Sequence, residues 1–176
     1  SQMGCYKTST ALWLTEKKTE EIINPQILII TTRSGKGSYF RDVPKCLDED
    51  YWQVFNVRVD GVFLLIDGME IKVRKTLPPK VDFPTIVVTH YHLFSKSHIN
   101  KKQTCKVCNG KRKVDLEMCY VCDGKGHIPL EYKPCDYLID RGEWDMVILD
   151  EAHKIKNRDA KWSVNIKKLQ AKNKHI

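Results

Sequence analysis

With 176 residues the chain can bury one substantial core and carry one small appended module. Hydrophobic residues make up 41% and charged residues 30%, an ordinary balance for a soluble globular domain, and no apolar run approaches the length that crosses a bilayer, so no membrane partner is expected. The formal net charge of +8 favours a polyanionic partner.

The opening residues, SQMGCYKTSTAL, pass from a glycine-containing loop into a helical pattern that runs from Thr8 to Glu21. Pro25 separates this helix from QILIITT, a strand ending near Thr32. RSGKGSYFRDV then reads as a loop entering a short helix, which Pro44 is expected to break. VFLLIDGMEIKV, from Val62 to Val73, sets Asp67-Gly68 between two apolar runs and signals a β-hairpin. The connector LPPKVDFP leads to TIVVTH, from Thr85 to His90, an apolar run of the kind buried on both faces of a sheet. Between residues 95 and 135 cysteine, glycine and lysine rise and long apolar runs vanish, which marks an inserted module. The main domain resumes with YLIDRGEWDMVILDEAH, and a final helix is expected from Asp159 to Lys172, with Trp162, Ile166 and Leu169 on one face. Strands alternating with helices imply an α/β domain with a mostly parallel sheet flanked by helices, built from residues 1–94 and 136–176. Ligands of such sheets sit at the carboxyl ends of the strands.

Five of the seven cysteines fall between residues 105 and 135. CKVCNGKR and CYVCDGKG are near-copies of C-x-x-C-x-G-x-G, the first ending in Arg112 where the second has glycine. Two such knuckles supply four thiolates, Cys105, Cys108, Cys119 and Cys122, at a reach suited to tetrahedral Zn²⁺. With no ligand position left open, the zinc is expected to be structural. Cys135 and His127 are possible substitute ligands that the four-cysteine set does not need. Clustered thiols without a secretion signal point to a reducing, intracellular compartment.

In WDMVILDEAHKIKN the apolar block from Met146 to Leu149 reads as a buried strand that runs straight into Asp150 and Glu151. Adjacent carboxylates at a strand end suit a divalent cation and a water, one holding the ion while the other orients a nucleophile. The alternative is a strand followed by a solvated acidic turn. Positive charge is uneven along the chain: the segment from Lys154 to Ile176 carries +7 and that from Ser95 to Cys135 carries +5, which leaves the remainder at −4. Both segments are candidate polyanion surfaces or merely solvated faces.

The opening loop resembles the Walker A motif of superfamily-two helicases, commonly A-x-x-G-x-G-K-T. Gly4, Lys7 and Thr8 match, Ser1 stands in place of alanine, and Tyr6 holds the position of the second glycine. The order MGCYKTSTAL, ILIITTRSGKGSYFRDV, TIVVTHYHLF, WDMVILDEAHKIKN resembles the first RecA-like lobe of the Swi/Snf-like branch of that superfamily, and DEAH is its most specific part. The resemblance implies ATP held by Gly4, Cys5, Tyr6, Lys7, Thr8 and Asp150, with Thr8 and Asp150 on Mg²⁺. It implies catalysis by Glu151, which would activate the attacking water, with Asp150 and Lys7. His153 would couple the nucleotide site to the neighbouring motif, and Thr32, Arg33, Ser34 and Thr89 would contact nucleic acid, DNA above all. The family continues with a Thr-Gly-Thr-Pro-like motif and a second lobe bearing an arginine finger, so the chain is expected to be a fragment, incomplete at both ends, that pairs with that lobe of its parent. The repeats similarly resemble the cysteine-rich knuckles of DnaJ-type chaperones, which carry four copies. Because a bulky Tyr6 departs from the loop glycine, the competing expectation is a non-hydrolysing nucleic-acid or protein interaction module with a degenerate Walker A loop.

Overall fold

Six consecutive buried residues, Gln26 to Thr31, run through the sheet of the larger unit, with apolar clusters on either face. The computed structural model describes residues 7–48, 50–66, 69–74, 82–95, 99–132, 135–157 and 159–175. In chain order the elements are α1 (Lys7–Thr19), β1 (Gln26–Thr31), α2 (Lys36–Cys46), β2 (Gln53–Arg58), β3 (Gly61–Ile66), β4 (Met69–Arg74), β5 (Thr85–His90) and α3 (Tyr91–Ser95). Then come β6 (Ile99–Thr104), β7 (Lys113–Val114), β8 (Glu117–Met118), β9 (His127–Tyr132), α4 (Asp136–Ile139), β10 (Trp144–Leu149), a 3₁₀ turn (Ala152–Lys156), α5 (Lys161–Lys167) and β11 (Ala171–His175). The chain divides into two compact units, one of residues 96–134 and one of the residues before and after them. Among the described residues no helix is long and apolar enough to cross a membrane.

The larger unit holds a seven-stranded sheet in the order β11-β10-β1-β5-β2-β3-β4. Pairings from β11 across to β2 are parallel, and β3 and β4 add an antiparallel hairpin at one edge. The fold is therefore α/β with a mostly parallel sheet flanked by helices. Strand alternation divides the apolar runs between two faces. Ile27, Ile29, Ile86, Val88, Met146 and Ile148 meet Leu12 of α1 and Tyr39 and Val43 of α2. Leu28, Ile30, Val87 and Val147 meet Leu93 and Phe94 of α3, Leu138 of α4 and Ile166 of α5. With helices on both faces, β1 and β5 are buried along their whole length, which is why they read as unbroken apolar runs.

Two expectations are corrected. The α2 helix passes through Pro44 to Cys46, with the Leu47 amide donating to the Val43 carbonyl. Proline forfeits one hydrogen bond near the helix end, and the buried Val43 and Leu47 hold the last turn in place. The final helix covers Lys161–Lys167 only, and Ala171–His175 is a strand. This strand is polar because edge strands are held by backbone pairing and need no apolar run. The strand β2 was not anticipated either. The Asp67-Gly68 turn lies outside the described residues.

A buried carboxylate joins three strands of the sheet. Asp145 of β10 is 1% exposed; Oδ2 accepts from the Gln26 amide of β1 at 2.9 Å, and Oδ1 accepts from Lys172 Nζ of β11 at 2.8 Å. Lys172 belongs to the basic tail, so part of that tail's charge serves the fold. Asp145→Ala is expected to cost about 2 kcal/mol in urea unfolding, because it strands a buried amide. Asp145→Asn should cost less, since it keeps an acceptor for the Gln26 N–H.

Candidate functional site

The carboxyl ends of β1 and β10 lie side by side, Ile30 in register with Leu149, and the Asp150 amide donates to the Ile30 carbonyl at 2.9 Å. Both strands release their chains at this edge, and α1 starts beside it. The result is an open cavity of about 300 Å³. Lys7 and Thr8 line it from α1, Thr32, Ser34 and Gly35 from the turn after β1, and Asp150 and Glu151 from the turn after β10. Residues 144 positions apart in sequence meet here: Lys7 Nζ lies 3.2 Å from Glu151 Oε1. The other carboxylate oxygen, Oε2, is 3.1 Å from His153 Nδ1. Side-chain exposures of 67%, 35% and 60% for Lys7, Glu151 and His153 make these contacts weak, within about 1 kcal/mol, and a phosphate can displace them readily.

Glu151 has φ 59° and ψ 43°, a left-handed conformation that costs a non-glycine residue roughly 1–2 kcal/mol. The reversal takes the chain off β10 and into the 3₁₀ turn. Thr8 is buried to 8% exposure at the cavity wall, with its hydroxyl one residue from the Lys7 cation. Chemically the site pairs one ammonium and several hydroxyls with two carboxylates, a set able to hold an anion and a hard divalent cation together. Gly4, Cys5 and Tyr6 lie outside the described residues.

Of the four candidate nucleic-acid contacts, Thr32 and Ser34 line the same cavity as Lys7. Thr32 Oγ1 accepts from the Gly35 amide at 2.9 Å and lies 3.1 Å from Ser34 Oγ, which fixes the turn. Arg33 is exposed. Thr89 is a correction: it is 0% exposed and its hydroxyl donates to the Val57 carbonyl at 3.0 Å, so strand parity turns it into the core.

Sequence reasoning missed Thr31 and Tyr39. Thr31 Oγ1 donates to Asp150 Oδ2 at 2.8 Å. Tyr39 faces the same carboxylate, and burial, the Asp150 charge and a hydrogen bond to it hold the phenol's pKa far above its usual value. Tyr91 donates to the Asp150 carbonyl at 2.7 Å. Tyr39 sits on the apolar face of α2, where periodicity reads any aromatic as core.

His90, at the end of β5, is also buried, and its Nδ1 accepts from the Leu93 amide at 3.2 Å. Burial first, then the charges of Lys36, Arg33 and His92, lower its pKa from 6.5 to about 4, against an opposing backbone hydrogen bond. The folded chain thus keeps the ring neutral where the unfolded chain protonates it. Stability present above pH 6.5 is lost progressively as pH falls from 6.5 towards 4, by at most about 3 kcal/mol. His90→Asn should flatten that slope in urea titrations followed by tryptophan emission.

The smaller unit consists of the β6–β9 and β7–β8 ladders and the two knuckles. Its four cysteine sulfurs lie within 4.8 Å of one another, all buried. Cys105 Sγ is 3.9 Å from Cys119 Sγ, and Cys108 Sγ is 3.7 Å from Cys122 Sγ. A disulfide needs about 2.05 Å. A tetrahedron with metal–sulfur bonds of about 2.3 Å has edges of about 3.8 Å, which the observed separations match. The knuckles repeat in backbone geometry as well as in sequence: Asn109, Gly110 and Arg112 have φ of 48°, 80° and 71°, and Asp123, Gly124 and Gly126 have 49°, 66° and 75°. Gly126 N–H donates to Cys122 Sγ at 3.2 Å, and a Cβ at Gly126 would fall 2.7 Å from the Gly110 carbonyl oxygen. Burial raises the Cys108 thiol, but the Arg112 amide and the other sulfurs more than offset it and bring it below the usual thiol value, while burial and the neighbouring sulfurs push Cys122 above it. Cys135 is buried in the larger unit's core, packed with Leu138, and takes no part in this cluster.

A parallel sheet whose strand ends gather an ammonium, hydroxyls and two carboxylates is that of an α/β domain with its ligand site at the carboxyl edge. The sequence profile of the SNF2-related domain matches residues 85–176, just over half of the chain. The chain belongs to this family. No curated protein sequence matches it. Among solved structures it is similar to the Sulfolobus solfataricus SWI2/SNF2 ATPase core in complex with dsDNA, at 18% identity and a TM-score of 0.47. That match covers 98% of this chain and 25% of the other.

Proposed function

We propose that this chain is the ATP-binding lobe of a nucleic-acid-dependent ATPase of the helicase or translocase type, working with a second lobe of the same parent protein. The approach of Lys7 to Glu151, at 3.2 Å across 144 residues, is the observation that carries the reading. The family assignment supports it independently, since it rests on residues 85–176 and not on the opening loop. In this reading Lys7 gives up Glu151 to neutralise phosphate oxygens, and Thr8 and Asp150 hold Mg²⁺. Bound Mg²⁺ supplies neutralisation of charge on the phosphates. Glu151 orients and deprotonates the attacking water, and His153 steadies its second oxygen. Hydroxyls of Thr32 and Ser34 face the phosphates, and exposed Arg33 is left for nucleic-acid backbone.

The smaller unit adds a structural Zn²⁺ on Cys105, Cys108, Cys119 and Cys122. Its exposed Lys106, Lys111, Arg112, Lys113 and Lys125 meet the phosphates of DNA in a strongly salt-dependent way. Clustered thiols suited to a metal support a reducing, intracellular setting for the protein. In the full-length protein, Lys7→Ala is expected to weaken binding of a fluorescent ATP analogue by at least about tenfold, the loss of one charge-assisted contact. Unchanged binding by a folded Lys7→Ala protein would refute the site.

A further inference from the structure

We propose that Thr31 and Tyr39 are positioning residues that hold the Asp150 carboxylate in one orientation for a divalent cation, and that Gly35 is required to leave room for the Thr31 hydroxyl. The inference rests on the nucleotide-site reading above and adds to it a second layer drawn from β1 and α2. Asp150 stands where the chain leaves β10 for an irregular turn, a place where a carboxylate ordinarily rotates freely. Here its backbone and one carboxylate oxygen are held. Its amide donates to Ile30, its carbonyl accepts from Tyr91, and Oδ2 accepts from Thr31 at 2.8 Å. The Tyr39 hydroxyl faces the same carboxylate from α2.

Thr31 and Tyr39 are 0% and 1% exposed. Buried hydroxyls demand a partner, and a valine and a phenylalanine would fill the same volumes without that demand. Tyr39 packs among Leu12, Val43 and Ile29, surroundings that suit an aromatic ring of either kind. Asp150 is the carboxylate its hydroxyl meets. Both hydroxyls are donors, so they orient the carboxylate and leave its remaining lone pairs for a cation.

Gly35 supplies an independent observation. Its φ of −68° is open to any residue, so backbone freedom does not explain the glycine. A Cβ there would lie 2.4 Å from Thr31 Oγ1 and 3.0 Å from Thr32 Oγ1. The first separation is impossible without moving the hydroxyl that holds Asp150. Space for that hydroxyl is what the glycine provides.

Partners that orient a metal-binding carboxylate typically change cation affinity by about 10–100-fold when removed. The test uses the full-length protein and a fluorescent ATP analogue, titrated with Mg²⁺ and compared with binding in EDTA. Thr31→Val and Tyr39→Phe are each expected to raise the half-saturating Mg²⁺ concentration about tenfold or more, with binding in EDTA unchanged and excess Mg²⁺ restoring full binding. Thr31→Ser, which keeps the donor, should behave as the unsubstituted protein, and Gly35→Ala should behave as Thr31→Val. Circular dichroism and thermal midpoints identify any variant that merely unfolds, and Tyr39→Phe, which removes one oxygen, stands as the test if Thr31→Val does. An unchanged Mg²⁺ dependence in folded Thr31→Val and Tyr39→Phe overturns the positioning role and leaves the nucleotide site standing. Absence of Mg²⁺-dependent nucleotide binding in the unsubstituted protein overturns both.

Discussion

Glu151→Gln in the full-length protein is expected to bind ATP as the unsubstituted protein does and to hydrolyse it at least about 10²-fold more slowly, the usual scale for removing a general base. The substitution keeps the shape of the side chain and an oxygen able to accept from His153, so the turn after β10 should persist. It removes the negative charge that Lys7 meets at 3.2 Å. Free of that partner, Lys7 is more available to phosphate, and nucleotide affinity should hold or rise slightly. The rate falls because an amide cannot take a proton from water at neutral pH. Affinity and rate therefore separate in Glu151→Gln, whereas Lys7→Ala strikes affinity first. Single-turnover hydrolysis measured beside equilibrium binding reads the two quantities independently. Hydrolysis at the unsubstituted rate would remove Glu151 from the mechanism, and the Lys7 site would then have to be defended on binding alone.

How much of this was legible beforehand differs from residue to residue. β1, β5 and the core of β10 announce themselves because helices cover both their faces and their middle positions form unbroken apolar runs. β11 does not, because Lys172 and Asn173 pair at a sheet edge, where the bonding is backbone to backbone and a buried Asp145 anchors the strand. No periodicity rule finds a strand whose reason for existing lies 27 residues away. Lys7 and Glu151 were joined only by resemblance to a family, since 144 residues of sequence carry no signal that they touch. Thr89 shows the converse: a position carried over from the family by number, which strand alternation turns inward so that its hydroxyl bonds Val57. Tyr39 was hidden by its own ring, which packs as core while its oxygen serves the site. The gathering of the four cysteines was legible because all four fall within one short stretch, where spacing alone fixes their reach.

That cluster supports the prediction with the largest structural effect. Cys119→Ser is expected to unfold residues 96–134 and to leave the seven-stranded sheet standing. Among the described residues of the smaller unit, the buried hydrophobic cluster is the four cysteines, with Val114 and Ile128 packed partly against them. Structural zinc in small modules contributes about 10–16 kcal/mol of apparent binding energy at neutral pH, and that energy is folding energy. Removing one thiolate forfeits much of it, and two short ladders cannot replace it. The larger unit draws its stability from two apolar faces that contain none of these sulfurs. All four tryptophans, Trp13, Trp52, Trp144 and Trp162, belong to that larger unit, so their emission reports on the sheet alone. In Cys119→Ser the tryptophan unfolding transition should move little, metal content should fall well below one zinc per chain, and proteolysis should open cuts between residues 96 and 134. Treating the unsubstituted protein with a strong chelator should reproduce the same cuts. Cys135→Ser makes the contrast sharp, because that sulfur is buried beside Leu138 in the larger unit. It should leave the zinc in place and weaken the tryptophan transition by about 1 kcal/mol, the cost of a polar group in an apolar site. A metal-free protein whose residues 96–134 resist protease as well as before would mean that the thiols cluster for another reason, and the zinc assignment would fall with it.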